Sequence, residues 1–322
     1  MLIIGTNGPD SLPGTTSDDE IRGLDGNDTI VGNGGNDLIY GNQGNDSLEG
    51  GDGGDTIYGG QGNDVVFDLG TSGNDVIYGN FGNDLLTSGN GNDTIYGGQG
   101  DDTLDGGGGL ADNLIYGNLG NDNIQGEKGN DTLYGGQGDD TIVGQIGTDL
   151  IYGNFGNDVL TCAFGNDTLY GGQGDDKLAE NGGGDNSARL FGNLGADTFD
   201  FSVGAQPPSG QTQATADHIA DFSDAEGDNI NIKSPTDGIR YAEVQGDASV
   251  TSVETAITYA NDHSFFGAGA GQGNVVFVAG ATDGYLLVDA NNSGTFGTGD
   301  YAIVLDHLNS TTLLGAIDVI GV

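Results

Sequence analysis

Tyr-Gly preceded by Ile or Leu returns at Tyr40, Tyr58, Tyr78, Tyr96, Tyr116, Tyr134, Tyr152 and Tyr170, at steps of about 18 residues and occasionally 20. Self-similarity at so short a period leaves a chain few options. One such unit cannot bury an apolar face alone and must cover it with the next, so the coils stack as a solenoid. Each period holds two nine-residue units, as in Gly41 to Glu49 followed by Gly50 to Tyr58. In each unit the first six positions read as a turn and the last three as a short strand. Glycine, or Asn in second place, suits a backbone that must take positive φ. The middle strand residue (Ile57, Leu104, Ile142, Leu169) is aliphatic, and period-two geometry sends it inward while its neighbours face out.

Composition supports turns and cations. With 66 glycines and 34% apolar residues, an ordinary core wrapped in helices is not available. The formal net charge of -43, against six Lys and Arg, would make a compact fold repel itself unless positive charge enters it. Nucleic acid and anionic membrane surfaces are excluded as partners by the same sign. Disorder would not keep a carboxylate at one fixed phase, two places before an aliphatic residue. The single Cys162 rules out an intrachain disulfide, which leaves bound metal as the natural cross-link. No stretch is apolar for long enough to span a bilayer, and Met1-Leu-Ile-Ile lacks the basic flank and length of a secretory signal.

The turns offer backbone carbonyls and carboxylates without His or Cys. Such hard oxygen donors suit Ca²⁺, which accepts six to eight of them in flexible geometry, better than Mg²⁺. Two rows of turns follow. The first carries Asp28, Asp46, Asp64, Asp84, Asp102, Asp122, Asp140, Asp158, Asp176 and Asp197 with its pattern almost unbroken. The second carries Asp37, Asp55, Asp75, Asp93, Asp112, Asp131, Asp149, Asp167 and Asp185. Insertions near Gly70, Gly108 and Asp185 interrupt it, and Glu127, Gln145 and Cys162 replace turn glycines, so it is expected to bind fewer or weaker ions.

Units beginning at Gly5, Gly14, Gly23, Gly32, Gly41, Gly50 and Gly59, and continuing to Gly192, match Gly-Gly-x-Gly-x-Asp-x-aliphatic-x. Over about residues 5–200 the chain thereby resembles the RTX family of hemolysin-type calcium-binding nonapeptide repeats. The resemblance implies an all-β fold, a right-handed parallel β-roll in which each ion sits between turns one period apart. It also implies a ligand set. Carbonyls of Asn42 and Gly44 with Asp46 would meet carbonyls of Gly59 and Gln61 with Asp64; Asn80, Gly82 and Asp84 would meet Gly97, Gln99 and Asp102.

Three segments are expected: the roll over 1–202, a Pro/Ser/Gly linker over 203–216, and a cap over 217–322. The cap resembles the serralysin-type C-terminal region. Alternation predicts strands leading through Gly227-Asp-Asn-Ile-Asn-Ile, at Asn274-Val-Val-Phe-Val, Gly284-Tyr-Leu-Leu-Val and Tyr301-Ala-Ile-Val-Leu, and helical spacing predicts one short helix over 251–262. Asp289, Asn291, Ser293, Gly294 and Asp300 stand at EF-hand-like positions between two strands, a further calcium site or an ordinary Asn/Gly hairpin. The ending Asp318-Val-Ile-Gly-Val resembles a type I secretion signal.

The three His residues form no His-Glu-x-x-His, and neither a Gly-x-Ser-x-Gly elbow nor a phosphate loop is present, so no enzyme domain is expected. The Tyr returns occupy an outward position and read either as a stacked ladder or as a platform for sugar or protein. Gln61, Phe81, Gln99, Leu119, Gln137, Phe155, Gln173 and Leu194 alternate polar and apolar at one turn position, which records a doubled unit or serves lateral packing. The expectation is a secreted, calcium-folded structural protein of the cell surface or surroundings, adhesive, layer-forming or fibre-forming by self-association. The alternative is a calcium-dependent module that binds polysaccharide or another partner through the Tyr ladder; an enzyme accessory or toxin module stands behind both.

Overall fold

The computed structural model describes residues 1–68, 70, 73–181, 187–201, 217–221, 228–232, 240–245, 256, 274–279, 283–289 and 301–305. Two compact units divide the chain, Met1–Leu160 and Thr161–Val322. In the first, the chain winds back and forth between two sheets of parallel strands. One sheet orders Leu2–Ile4, Glu20–Asp25, Leu38–Gln43, Thr56–Gln61, Val76–Phe81, Thr94–Gln99, Leu114–Leu119, Thr132–Gln137 and Leu150–Phe155. The other orders Ser11–Pro13, Thr29–Gly34, Ser47–Asp52, Val65–Phe67, Leu85–Thr87, Thr103–Asp105, Asn123–Gln125 and Thr141–Val143. This is the stacked solenoid that the period predicted and the parallel β-roll that the resemblance implied.

Register sets equivalent residues on one another: Ile39 on Ile57 on Ile77, and Tyr40 on Tyr58 on Tyr78. The core is a double file of single aliphatic side chains. Ile39, Ile57, Ile77, Ile95 and Ile115 from one sheet and Ile30, Val66, Leu86, Leu104 and Ile124 from the other are fully buried. Their neighbours along each strand are half-buried or exposed, because successive side chains of a strand take opposite faces.

Strand length departs from the three residues expected. In the Tyr-bearing sheet most strands run for six, and pairing continues through the bend, Asn42 on Gly60 and Gln43 on Gln61. Asn42 turns the corner at φ 77°, yet because the next coil bends identically, amide and carbonyl still meet. The opposite sheet shortens to three-residue strands from Val65–Phe67 to Thr141–Val143. There the following turns carry insertions or non-glycine residues, so successive bends no longer superpose.

The tyrosines form the stacked ladder. From Tyr40 to Tyr152, neighbouring ring centroids lie 4.7–5.1 Å apart with planes within 7° of parallel. That is the spacing of the strands beneath them. Arg22 lies over the Tyr40 ring, 5.4 Å from its centroid, and covers the first face of the stack.

In the second unit, Thr168–Gln173, Arg189–Leu194 and Asp217–Ile219 lie in order in one sheet, and Lys177–Glu180, Thr198–Phe201 and Asn229–Ile232 in the other. Tyr301–Leu305 then adds in parallel to Asp217–Ile219, and the meander Tyr301–Leu305, Gly284–Asp289, Asn274–Ala279 reverses direction at each step. Arg240–Gln245 closes the edge in parallel with Asn274–Ala279. Apart from Arg240–Gln245, which the sequence reading did not single out, the strands from Asn229 onward occupy the segments that alternation predicted. Leu190, Phe199, Ile219, Ile230, Tyr285 and Ile303 are buried within this unit. Of the helix expected over 251–262, Ala256 is described, and it is helical and buried. The linker over 203–216 and the ending from Asp318 lie outside the described residues.

With one inward side chain per strand, the core has no second layer to relax into a gap. Ile95→Ala should therefore cost about 2–5 kcal/mol, read as a lowered urea midpoint at saturating calcium.

Candidate metal centre

At the end of each turn, the Asp two places before the core aliphatic residue folds under its own coil. In the first row Asp28, Asp46, Asp64, Asp84, Asp102, Asp122 and Asp140 are 1–3% exposed. The backbone N–H of each donates to Oδ1 of the Asp one coil later: Asp28 to Asp46, Asp46 to Asp64, Asp64 to Asp84 and Asp84 to Asp102, at 2.7–2.8 Å. Asp122 to Asp140 and Asp140 to Asp158 continue at 2.8 Å. The second row repeats this with Asp37 to Asp55 at 2.7 Å, Asp55 to Asp75 at 2.7 Å and Asp75 to Asp93 at 2.8 Å. In the second unit Asp176 donates to Asp197 Oδ1 at 2.9 Å, and Asp197 to Asp228 Oδ1 at 3.0 Å. Asp149, Asp158, Asp167 and Asp176 are equally buried, at 1–2% exposure.

The other oxygen carries the functional information. Oδ2 of Asp28, Asp37, Asp46, Asp55, Asp64, Asp84, Asp93, Asp102, Asp122, Asp131, Asp140 and Asp197 is buried with no hydrogen-bond donor. A buried anionic acceptor without a partner is among the most costly arrangements a protein can hold. The first coil supplies an internal contrast. There the Thr15 hydroxyl donates to Asp19 Oδ2 at 2.9 Å, the Thr6 hydroxyl to Asp10 Oδ2 at 2.9 Å, and the amino group of Met1 bonds Asp19 Oδ1 at 2.6 Å. Where Thr closes the turn the carboxylate is satisfied by protein; at Asp46, Asp64 and Asp84 the same atom has no protein donor.

The space in front of that atom is kept open by glycine. A Cβ on Gly41 would collide with Asp46 Oδ2 and stand 2.5 Å from the Gly59 carbonyl of the next coil; on Gly79 it would meet Asp84 Oδ2 and the Gly97 carbonyl in the same way. A carboxylate oxygen and a carbonyl from successive coils thus converge on the space that a side chain at Gly41 or Gly79 would fill. Carbonyls of Asn42 and Gly44 face Gly60 and Gly62 one coil on. The Gln61 and Gln99 carbonyls already accept the amides of Gly44 and Gly82 at 2.8 Å, leaving one lone pair each. Orphaned hard oxygens around an open cradle fit Ca²⁺.

Electrostatics point the same way. Burial is the main cause pushing Asp64, Asp75, Asp102 and Asp140 up to about 7, against the amide hydrogen bonds that lower them and with like-charged neighbours adding to the rise. Asp55, Asp84, Asp122, Asp131 and Asp197 reach about 6 for the same leading reason.

One expected ligand is misplaced. Asp112 is exposed, and its Oδ1 accepts the Asn130 amide at 2.7 Å as a member of an outer file of Asn and Asp side chains. The inner place belongs to Asn113, 4% exposed, which accepts from Asp93 at 3.0 Å and donates to Asp131 at 2.7 Å. After the insertion near Gly108 the usual Asn-Asp order is reversed to Asp-Asn; counting two back from Ile115 reaches Asn113. Sequence reading also passed over Asp228, although it too stands two places before a core residue, Ile230. Asp185, Asn291, Ser293, Gly294 and Asp300 lie outside the described residues, and Asp289 ends the strand Gly284–Asp289.

The pattern of a known family, RTX calcium-binding nonapeptide repeat (4 copies), matches residues 4–39, 31–66, 78–110, 107–142, 116–151 and 143–178, a little over half of the chain. No curated protein matches it.

Two outcomes are expected. Because the raised groups favour the protonated form on folding, their stabilisation of the calcium-free roll is complete below about pH 3.8 and is lost as pH rises to about 7. In chelator, circular dichroism should show more β structure at pH 5 than at pH 7.5, whereas calcium affinity should weaken over the same descent because protons compete for the ligands. Second, Asp84→Asn should lower the number of bound ions counted by native mass spectrometry, while Asp10→Asn in the Thr-closed first coil should leave it unchanged.

Proposed function

The chain belongs to the RTX calcium-binding nonapeptide-repeat family, and from that premise we propose that it is a secreted structural protein that folds on meeting calcium outside the cell and works there as an adhesive, layer-forming or fibre-forming component. Its repeats bind several calcium ions. The observation that carries the proposal is the file of buried, donor-free aspartate oxygens in a chain of net charge -43. A site held at tenfold excess over its dissociation constant adds about 1.4 kcal/mol. Ten such sites would match the whole stability of a typical domain, about 5–15 kcal/mol. Extracellular calcium modules bind at about 10⁻⁴–10⁻³ M, a concentration found outside cells and not in the cytosol, so folding would wait for export.

The work of such a fold is to present surfaces at a fixed repeat. Phe81, Leu119 and Phe155 stand 40–50% exposed at every second coil of the first unit, an apolar row suited to side-by-side contact between copies. The polysaccharide reading is weaker on one specific ground. Sugar stacks on an open aromatic face, and the faces of Tyr58 to Tyr134 are covered by their neighbours at 4.7–5.0 Å. A non-catalytic role agrees with titratable groups arrayed as periodic cation ligands along the turns.

Titrating calcium into chelator-treated protein at pH 7.5 should produce a cooperative gain of β structure by circular dichroism, with millimolar calcium then driving concentration-dependent assembly in sedimentation velocity. A chelated spectrum identical to the saturated one would refute calcium-coupled folding. Monodisperse monomers at high protein and millimolar calcium would refute the assembly role.

A further inference from the structure

Asp68 stands where the repeat calls for a turn glycine, the place that Gly50 holds one coil earlier. It is fully buried. Its Oδ1 accepts the Gly51 amide at 2.9 Å, while its Oδ2 has no hydrogen-bond donor. That bare oxygen is aimed over Gly50: a Cβ built there would lie 2.6 Å from it and would also strike Asp55 Oδ2, which has no donor either. Asp75 completes the group. One carboxylate oxygen from each of Asp55, Asp68 and Asp75 lies within 4.8 Å of the others. The three are 0–4% exposed, and among the described residues no basic group pairs with them.

Elsewhere in this file of the first unit, the first turn position holds glycine or the neutral Ser88. Here a third negative side chain enters from that position. Calcium affinity in protein loops is graded by ligand charge and rigidity, and each of these carboxylates is already fixed, Asp68 by the Gly51 amide and Asp75 by the Asp55 amide at 2.7 Å. We propose that Asp68 makes this rung a three-carboxylate calcium site, the tightest of its row within the first unit and the first there to fill. The proposal builds on the calcium-coupled reading above. It reverses the expectation, for this rung, that departures from the repeat weaken binding.

The test compares the full chain with Asp68→Gly, which restores the repeat residue, and Asp68→Asn, which keeps the shape and removes the charge. Bound calcium per chain is counted by native mass spectrometry at buffered free calcium from about 10⁻⁷ to 10⁻³ M. The unsubstituted chain should retain one ion at a free concentration about tenfold or more below that needed for the rest. Both variants should lose that early ion and yet reach the same β content at saturation. An early ion retained in both variants would overturn the proposal. A chain with no early ion, whose chelated form gains β structure on Asp68→Gly, would overturn it in favour of a proton shared among the three carboxylates. Absence of calcium binding at any concentration would instead bring down the calcium-coupled reading itself.

Discussion

Everything in this fold depends on what faces the buried aspartates. Coils such as those of Asp46 and Asp64 place a carboxylate under themselves, donate the amide to the carboxylate of the next, and leave the second oxygen without a protein donor. Repeated along two files, this arrangement stores repulsion that backbone hydrogen bonds cannot remove, because the donors are already committed to Oδ1. A cation between coils changes the sign of the term. On the proposed reading, the same groups that resist collapse in its absence would become cross-links in its presence, and stability would pass from the apolar core to the ion.

That division of labour explains how thin the core is. One aliphatic residue per strand, such as Ile57 or Leu104, is enough to set the spacing between sheets, but not enough to hold a chain this rich in glycine. The Tyr ladder adds a second contribution that grows with each coil, since every ring covers the face of the one before it at the strand spacing. Its geometry is a product of register: tyrosines 18 or 20 residues apart stack only because the inserted residues are accommodated in turns and never in strands.

Where the repeat is broken, the breaks are not equivalent. Near Gly108 the reversed Asp-Asn order puts a neutral Asn113 in the inner file and sends Asp112 to the outer one, so a ligand charge is lost. At Asp68 the opposite happens, and a charge is gained at a position that normally has no side chain. In the first coil, Thr6 and Thr15 satisfy their aspartates without metal. These are three local chemistries on one scaffold, and the length of an insertion alone does not distinguish them.

The sequence by itself determined the period, the parallel stacking, the inward aliphatic file and the choice of a hard cation. Those follow from residues repeated at one phase, and phase is visible in one dimension. Asn113 was legible too, by counting back from Ile115. Only the tertiary structure decided which oxygen of each Asp is bonded, that the Thr hydroxyls close the first coil, that the strands continue through the bend at Asn42, and that Asp68 meets Asp55 and Asp75. The reason is common to all four. Each is a matter of the direction in which a side chain or amide points relative to a coil 18 or 20 residues away, or around an irregular turn, and a repeat pattern encodes position along the chain but not direction in space.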